Sequence, residues 1–292
     1  MKKESTVCVV GSINMDLTIS TEKMPEQGET ILGGPFATYP GGKGANQAVA
    51  AARVGANVNM IGAVGDDAFG VTLLDHLKGE GINAEGITMT HEAATGIATI
   101  ILSENDNRII VAAGANNHVL PELVDKHHEL IKHSDVVLMQ LEIPMETVAR
   151  TLKIAGEYDV PVVVNPAPYQ SLPDDILTES AFFTPNEIEV EAMKNDSLFD
   201  SIREKLIITK GDEGVAFYDD GADQFVQGFH VEVKDTTGAG DTFNGALAAC
   251  LGSGLPIDEA VQFANAAAAL SVTKVGAQGG MPTSREVEKF IR

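Results

Sequence analysis

The sequence predicts an α/β protein: a mostly parallel central sheet flanked by helices, with a small β-sheet lid, in one domain over residues 1–292. Three observations lead there. Short apolar runs recur at 6–11, 57–64, 135–141, 160–165, 181–184 and 206–209. Helical periodicity fills most of the intervals between them, and such alternation builds parallel sheets covered on both faces. Two segments, at about 13–40 and 95–112, break the alternation with strand-rich sequence.

In chain order, residues 6–11 form a strand that closes on Gly11. The first inserted hairpin follows, bounded by polar Asn14 and Asp16 at one end and by Gly41 and Gly42 at the other. Residues 40–55 open with tight glycines, run into an alanine-rich helix and end on Gly55 as a helix C-cap. After the strand at 57–64, the second hairpin pairs residues 96–102 with 108–111 across a turn at 104–107. Helices at 121–132 and 144–157 each open on proline, which suits the first helical position. A last motif leads into a helix over 242–251, with Phe243, Leu247 and Leu251 one turn apart. Ligands of such sheets sit beyond the carboxyl ends of the strands. A lid over that end is the functional reading of the inserted strands; an edge extension of the main sheet is the alternative. No repeat or low-complexity linker divides the chain.

A net charge of −22 argues against nucleic acid or an acidic membrane surface as partner. No apolar run approaches the ~18 residues of a membrane span, and Met1-Lys-Lys-Glu-Ser5 lacks the apolar core of a secretory signal. Cys8 and Cys250 belong to no CxxC pair, so buried free thiols in a reducing compartment are expected. A cytoplasmic protein follows. One this acidic binds an anion only where backbone dipoles, a few cations or a metal override the global field.

Asp235-Thr-Thr-Gly-Ala-Gly-Asp-Thr-Phe-Asn244 supplies such a place. Gly238, Ala239 and Gly240 carry little or no side chain, and small residues opening a helix present unpartnered N–H groups at the positive end of its dipole. Asp241, a carboxylate in an anion site, is repelled by what the site binds. Taking the proton of a hydroxyl that attacks a phosphoryl group gives it a role there; a glycine-rich turn with an Asp cap is the plain alternative. The glycine cluster at 41–44 is no Walker A loop, because Lys43 is followed by Gly44. Its glycines permit close approach of a ligand, and Lys43 and Asn46 supply donors suited to hydroxyls.

Together these stretches resemble the ribokinase-type carbohydrate kinases. The resemblance runs end to end through Gly11-Ser-Ile-Asn-Met-Asp16, Gly41-Gly-Lys-Gly-Ala-Asn-Gln47, Met139-Gln-Leu-Glu-Ile-Pro144, Asn165-Pro-Ala-Pro168, Thr184-Pro-Asn-Glu187, Asp235–Asp241 and Gly276-Ala-Gln278. It implies a ribokinase-like fold, ATP-dependent phosphorylation of D-ribose at its 5-hydroxyl, and a homodimer joined through the lid. Asn14, Asp16, Gly42, Lys43, Asn46 and Glu142 then match the sugar site, and Asp241 the catalytic base beside the amides of Gly238, Ala239 and Gly240. Asn186 and Glu189 match an Asn-x-x-Glu element that positions Mg2+ and phosphates; Thr209, Lys210, Gly211, Gly214, Gly240 and Asn265 match the nucleotide site. A K+ site, mostly of backbone carbonyls, maps to Asp235, Thr237, Ser271, Lys274, Gly276 and Gly280.

One departure stands out: residues 190–205 are shorter than the family's usual helical stretch, which predicts thin cover on that flank of the sheet. The resemblance also leaves room for a kinase of deoxyribose or another small sugar. A nucleoside kinase would want an aromatic base pocket, and aromatics are 5% of the chain. A sugar-phosphate kinase would want more lid cations than Lys23 and Arg108. A silent sugar-binding regulator would have no use for both Asp241 and the glycine turn. His127, His128 and His133 do not share a helix face and read as surface.

Overall fold

A computed structural model describes residues 4–103 and 106–292. Residues 1–3 of the N-terminal lead-in and 104–105 of the expected turn lie outside them. The first stretch runs β1 (Thr6–Val10), β2 (Asn14–Ser20), β3 (Phe36–Gly41), α1 (Lys43–Arg53), β4 (Asn57–Gly65), α2 (Ala68–Gly79), β5 (Asn83–Thr90), β6 (Gly96–Ser103) and β7 (Asp106–Ala112). Next come α3 (Pro121–Lys126), α4 (His128–Lys132), β8 (Val136–Gln140), α5 (Met145–Glu157), β9 (Val162–Asn165), α6 (Asp174–Glu179), β10 (Phe182–Phe183) and α7 (Glu187–Met193). The chain closes with β11 (Ile207–Thr209), β12 (Gly214–Asp219), β13 (Ala222–Gln227), α8 (Ala239–Gly252), α9 (Ile257–Ser271) and α10 (Ser284–Ile291).

Six parallel strands form the central sheet in the order β10-β9-β8-β1-β4-β5. Alternation along β1 shows why both faces are covered. Val7 and Val9 join the core that holds α1, α8 and α9 residues such as Val49, Phe243, Leu247 and Ala264. Cys8 and Val10 join the opposite core with Val124, Val148, Leu152 and Ile176. Successive strand residues point to opposite faces, so an all-apolar run is what a strand buried on both sides requires. Pairing of Gln140 with Asn165 across β8 and β9 sets two amides side by side at the carboxyl end of the sheet.

The inserted strands form their own four-stranded sheet, ordered β3-β2-β6-β7. The two hairpins are joined through parallel pairing of β2 with β6, Asn14 lying opposite Gly96. Residues 206–209, expected to continue the parallel series, meet its edge through parallel bridges and also start an antiparallel sheet, β11-β12-β13. That sheet touches the central one through bridges from Phe183 to Leu206 and from Asn186 to Thr209.

Local differences from the expected elements are small. The helix expected over 121–132 is broken into α3 and α4 at His127, whose φ of −109° and ψ of 21° leave the helical region. The helix expected from 242 begins at Ala239, so Gly240 and Asp241 lie in its first turn. On the shortened flank, a seven-residue 3-10 segment at Phe199–Lys205 follows α7. Met193, Ile202 and Leu206 bury there, so apolar side chains cover the flank in place of a longer helix.

Helix α8 is pressed onto α1 at Gly245, where an added Cβ would meet the Gln47 carbonyl oxygen and the Ala50 methyl at 2.6 Å. This close approach brings Asn46 and Gln47 of α1 against Asp241 of α8. Among the described residues, no helix is long and apolar enough to cross a membrane.

Candidate active site

Asp241 lies in the first turn of α8, whose N-cap is Gly238 with a φ of 79°. One carboxylate oxygen, Oδ2, accepts from Asn46 Nδ2 at 2.9 Å; the other, Oδ1, accepts from Gln47 Nε2 at 3.0 Å. At the helix opening, Ala239 N–H turns to the Thr236 carbonyl at 3.2 Å. The N–H groups of Gly238, Gly240 and Asp241 have no hydrogen-bond partner among the described residues. Two glycine amides and that of Asp241 itself are therefore open to an anion, reinforced by the helix dipole.

On one side of Asp241 stand the residues expected to hold a sugar. Asn14 is buried, its Oδ1 taking a hydrogen bond from Asn116 Nδ2 at 2.7 Å. Asp16 is 8% exposed. Burial first, then the Glu142 and Asp241 charges, push its carboxyl up to about 7, with Lys43 pulling the other way. Glu142, just past the end of β8, accepts from Ser12 Oγ at 2.5 Å and from Lys43 N–H at 3.3 Å. Gly42 caps α1 with a φ of 89°. The Lys43 side chain faces inward. Burial weakens its charge, but Asp241, Glu142, Glu189 and Asp16 outweigh that and hold its ammonium above the usual lysine range. Asp16 and Tyr39 line a cleft of about 730 Å³ between the small sheet and segments 233–237 and 275–277.

A second cleft, of about 480 Å³, lies over the opening of α8. Lys43, Asn186, Glu189, Thr209, Gly211, Gly214, Asn265 and the 238–241 turn all line it. Asn186 and Glu189 cap α7 reciprocally: Asn186 Oδ1 accepts from Glu189 N–H at 2.9 Å and Glu189 Oε2 accepts from Asn186 N–H at 2.8 Å. Burial raises the Glu189 carboxyl, against that hydrogen bond and the Lys43 charge. Asn265 is buried and ties α9 to β13 by donating to the Gln227 carbonyl at 2.9 Å. Lys210 points to Glu187 at 3.8 Å and is absent from the cleft wall.

Behind the turn, Asp235 joins two segments, accepting from Thr237 N–H at 2.9 Å and Gly276 N–H at 2.8 Å. These bonds hold its carboxyl below the usual range although burial acts in the opposite direction. Gly280 lies against the carbonyl of Ser271, and a Cβ on Gly280 would collide with that oxygen. Lys274 is exposed and lines a separate groove with Gly280 and Glu286. Of the expected cation-site residues, Asp235, Thr237 and Gly276 are thus joined by hydrogen bonds and Gly280 packs on Ser271 at the end of α9, while the Lys274 side chain points away.

Sequence reasoning assigned no role to the amides behind Asp241. Gln47 Nε2 also donates to Asn165 Oδ1 at 3.0 Å, and its Oε1 accepts from Gln140 Nε2 at 2.7 Å. Gln278 Nε2 donates to Asn46 Oδ1 at 2.8 Å. Gln47, Gln140, Asn165 and Gln278 are buried. A polar residue at a position that periodicity assigns to the core was the available signal, since buried amides need partners.

A carboxylate in the first turn of α8, beside open amides in the wall of a cleft, is an arrangement suited to transfer of a group from an anionic donor. The family model described as pfkB family carbohydrate kinase matches residues 4–284. The chain belongs to the pfkB family of carbohydrate kinases. It is 44% identical over 289 residues to a ribokinase of Bacillus subtilis, covering 98% of this chain and 99% of that protein. A ribokinase of Lactococcus lactis is 45% identical over 291 residues, covering 98% and 97%. Among solved structures, Arabidopsis thaliana ribokinase complexed with ribose and ATP superposes with a TM-score of 0.91 at 30% identity, covering 99% of each chain.

Proposed function

We propose that this protein transfers the γ-phosphate of ATP to the 5-hydroxyl of D-ribose, giving ribose 5-phosphate and ADP. The observation that carries the reading is Asp241, with both oxygens fixed by Asn46 and Gln47 at the mouth of α8, beside free amides and within electrostatic reach of Asp16. Ribose occupies the Asp16 side, where Asn14, Asp16, Gly42, Lys43, Asn46 and Glu142 read its hydroxyls. A site whose polar groups would otherwise be left unpaired rejects analogues lacking those hydroxyls. The triphosphate lies in the cleft lined by Asn186, Thr209, Gly211, Gly214 and Asn265, with its terminal phosphate at the 238–241 amides.

Asp241 accepts the proton of the attacking hydroxyl as the oxygen–phosphorus bond forms and the bond to ADP breaks. The amides of Gly238, Gly240 and Asp241, joined by that of Ala239 once it swings from Thr236, stabilise charge on the moving phosphoryl group. Among the described residues no three acidic or imidazole side chains converge on a metal position. Mg2+ is accordingly expected to ride on the nucleotide phosphates with at most one or two carboxylates, as this ion commonly does, and buried Glu189 in the cleft wall fits that role. K+ would fix the shape of the anion turn from a site at Asp235, Thr237, Ser271, Lys274, Gly276 and Gly280, mostly through backbone carbonyls.

Phe36, Ile109, Ile110 and Val111 expose apolar surface on the small sheet, which supports a homodimer joined through the lid. We place the protein in the cytoplasm, where its free, buried Cys8 and Cys250 stay reduced. The test is ADP release across a panel of ribose, deoxyribose, fructose and nucleosides, in potassium and in sodium. Ribose is expected to give the highest kcat/KM; turnover of every sugar at background level would refute the reading.

A further inference from the structure

The carboxylate of Asp241 ends a directed chain of hydrogen bonds that begins on α2. His76 Nε2 lies 2.6 Å from Gln278 Oε1. Gln278 Nε2 donates to Asn46 Oδ1 at 2.8 Å, and Asn46 Nδ2 donates to Asp241 Oδ2 at 2.9 Å. The polarity of every link follows from the last one. A carboxylate acting as a base has only acceptors, so Asn46 must turn its NH2 toward Asp241. That leaves the Asn46 carbonyl facing Gln278, which must answer with its own NH2. The Gln278 carbonyl then faces His76, which must donate from Nε2. Gln278 is 7% exposed and cannot recruit bulk water as a substitute partner. Its backbone is held as well: Arg53 Nη1 donates to the Gln278 main-chain carbonyl at 2.5 Å while Arg53 Nη2 pairs with Glu80 at 2.7 Å.

We propose that Gln278 is a positioning residue for the catalytic base, acting through Asn46, and that His76 anchors the outer end of the relay. The proposal rests on the reading of Asp241 as the base. Asp241 alone draws the Asn46 NH2 toward it, but without Gln278 the Asn46 carbonyl has no donor and the amide can tilt. A tilted amide loses its aim at Oδ2. Gln47 holds only the other oxygen. Gln278 thus fixes the angle of a residue that touches both the base and the sugar site.

Two nearly isosteric replacements separate this from a packing role. Gln278→Met removes both polar ends and leaves Asn46 undirected. Gln278→Glu keeps the acceptor for His76 but offers Asn46 a carboxylate, which draws the Asn46 NH2 away from Asp241. The expected result at pH 8 is a loss of kcat of about 10–100-fold for Gln278→Glu, the cost of a misdirected charge-assisted hydrogen bond, and a smaller loss for Gln278→Met. The KM for ATP should stay within about threefold, because Asn46 is not part of the nucleotide cleft, while the KM for ribose rises with the misdirected Asn46 amide. Protonating the introduced carboxylate restores a donor toward Asn46. The ratio of Gln278→Glu to wild-type kcat should therefore rise as pH falls from about 8 to about 6, with a flat ratio for Gln278→Met.

Asp241→Asn is measured alongside. Substantial turnover there overturns the base itself; loss of turnover there with wild-type kcat in Gln278→Glu at pH 8 overturns only the relay. Equal losses in both Gln278 variants with flat ratios would also overturn it. If Gln278→Glu does not fold, as judged by thermal melting, Gln278→Met and His76→Ala decide. Both should lower kcat with KM for ATP unchanged, and unaltered kcat in both refutes the proposal.

Discussion

Replacing Asp16 by asparagine should give a protein that is more stable at pH 8 and a poorer kinase. Asp16 is buried near Glu142 and Asp241, and burial together with those two charges moves its carboxyl from 3.8 to about 7. A carboxyl moved that far carries about 4 kcal/mol of difference between its two protonation states. The sign follows from the direction. A folded-state value above the unfolded one means stability that is fully present below about pH 4 and lost as pH rises through about 7. Asparagine keeps the shape without the charge. The variant should match the wild type near pH 4 and exceed it by about 2–4 kcal/mol at pH 8, part of the full figure being offset by relaxation of the site. Urea unfolding followed by circular dichroism across that range is the assay, since the chain has no tryptophan to report. Ribose binding should move the other way. Ionised Asp16 accepts hydroxyl hydrogen bonds, so wild-type KM for ribose falls as pH rises through about 7 while that of Asp16→Asn stays high and flat. A variant no more stable than wild type at pH 8, or a stability gap indifferent to pH, refutes the reasoning.

Gly245→Ala puts a methyl into the α1–α8 contact, 2.6 Å from the Ala50 Cβ. The helices must part, which costs about 1–3 kcal/mol and loosens Asn46 and Gln47 from Asp241; thermal melting and kcat should fall together, and a wild-type melting temperature would show that the contact yields freely. Asp235→Ala frees the Thr237 and Gly276 amides that the carboxylate ties together. Stability should drop by about 1–3 kcal/mol, and any preference for potassium over sodium in ADP release should vanish; an undiminished potassium effect would remove Asp235 from the cation site.

The central sheet was legible because strands buried on both faces must be apolar throughout, as 7–10 and 136–139 are. The two inserted hairpins were legible from turn chemistry and alternation. Their joining through β2 and β6 was not, because pairing between distant strands leaves no local trace. The antiparallel partner of 207–209, β12, was hidden likewise: so short a run reads the same in either kind of sheet. The break at His127 escaped because residues on both sides keep helical periodicity. At the site, Asp241, Asn46 and Asp16 stood out as polar residues beside glycines. Gln140, Asn165 and Gln278 did not, since their role is set by partners between 93 and 232 positions away. Lys43 was ambiguous in sequence, as a flexible stem can turn either way; four carboxylates around it account for its inward direction.

Turnover of Asp241→Asn, with ribose and ATP binding measured on the same preparation, probes the proposed chemistry most directly. The account predicts dissociation constants close to wild type and a kcat lower by about 10²–10⁴-fold, the usual share of general base catalysis. A variant that binds both ligands and still turns over near the wild-type rate would contradict it.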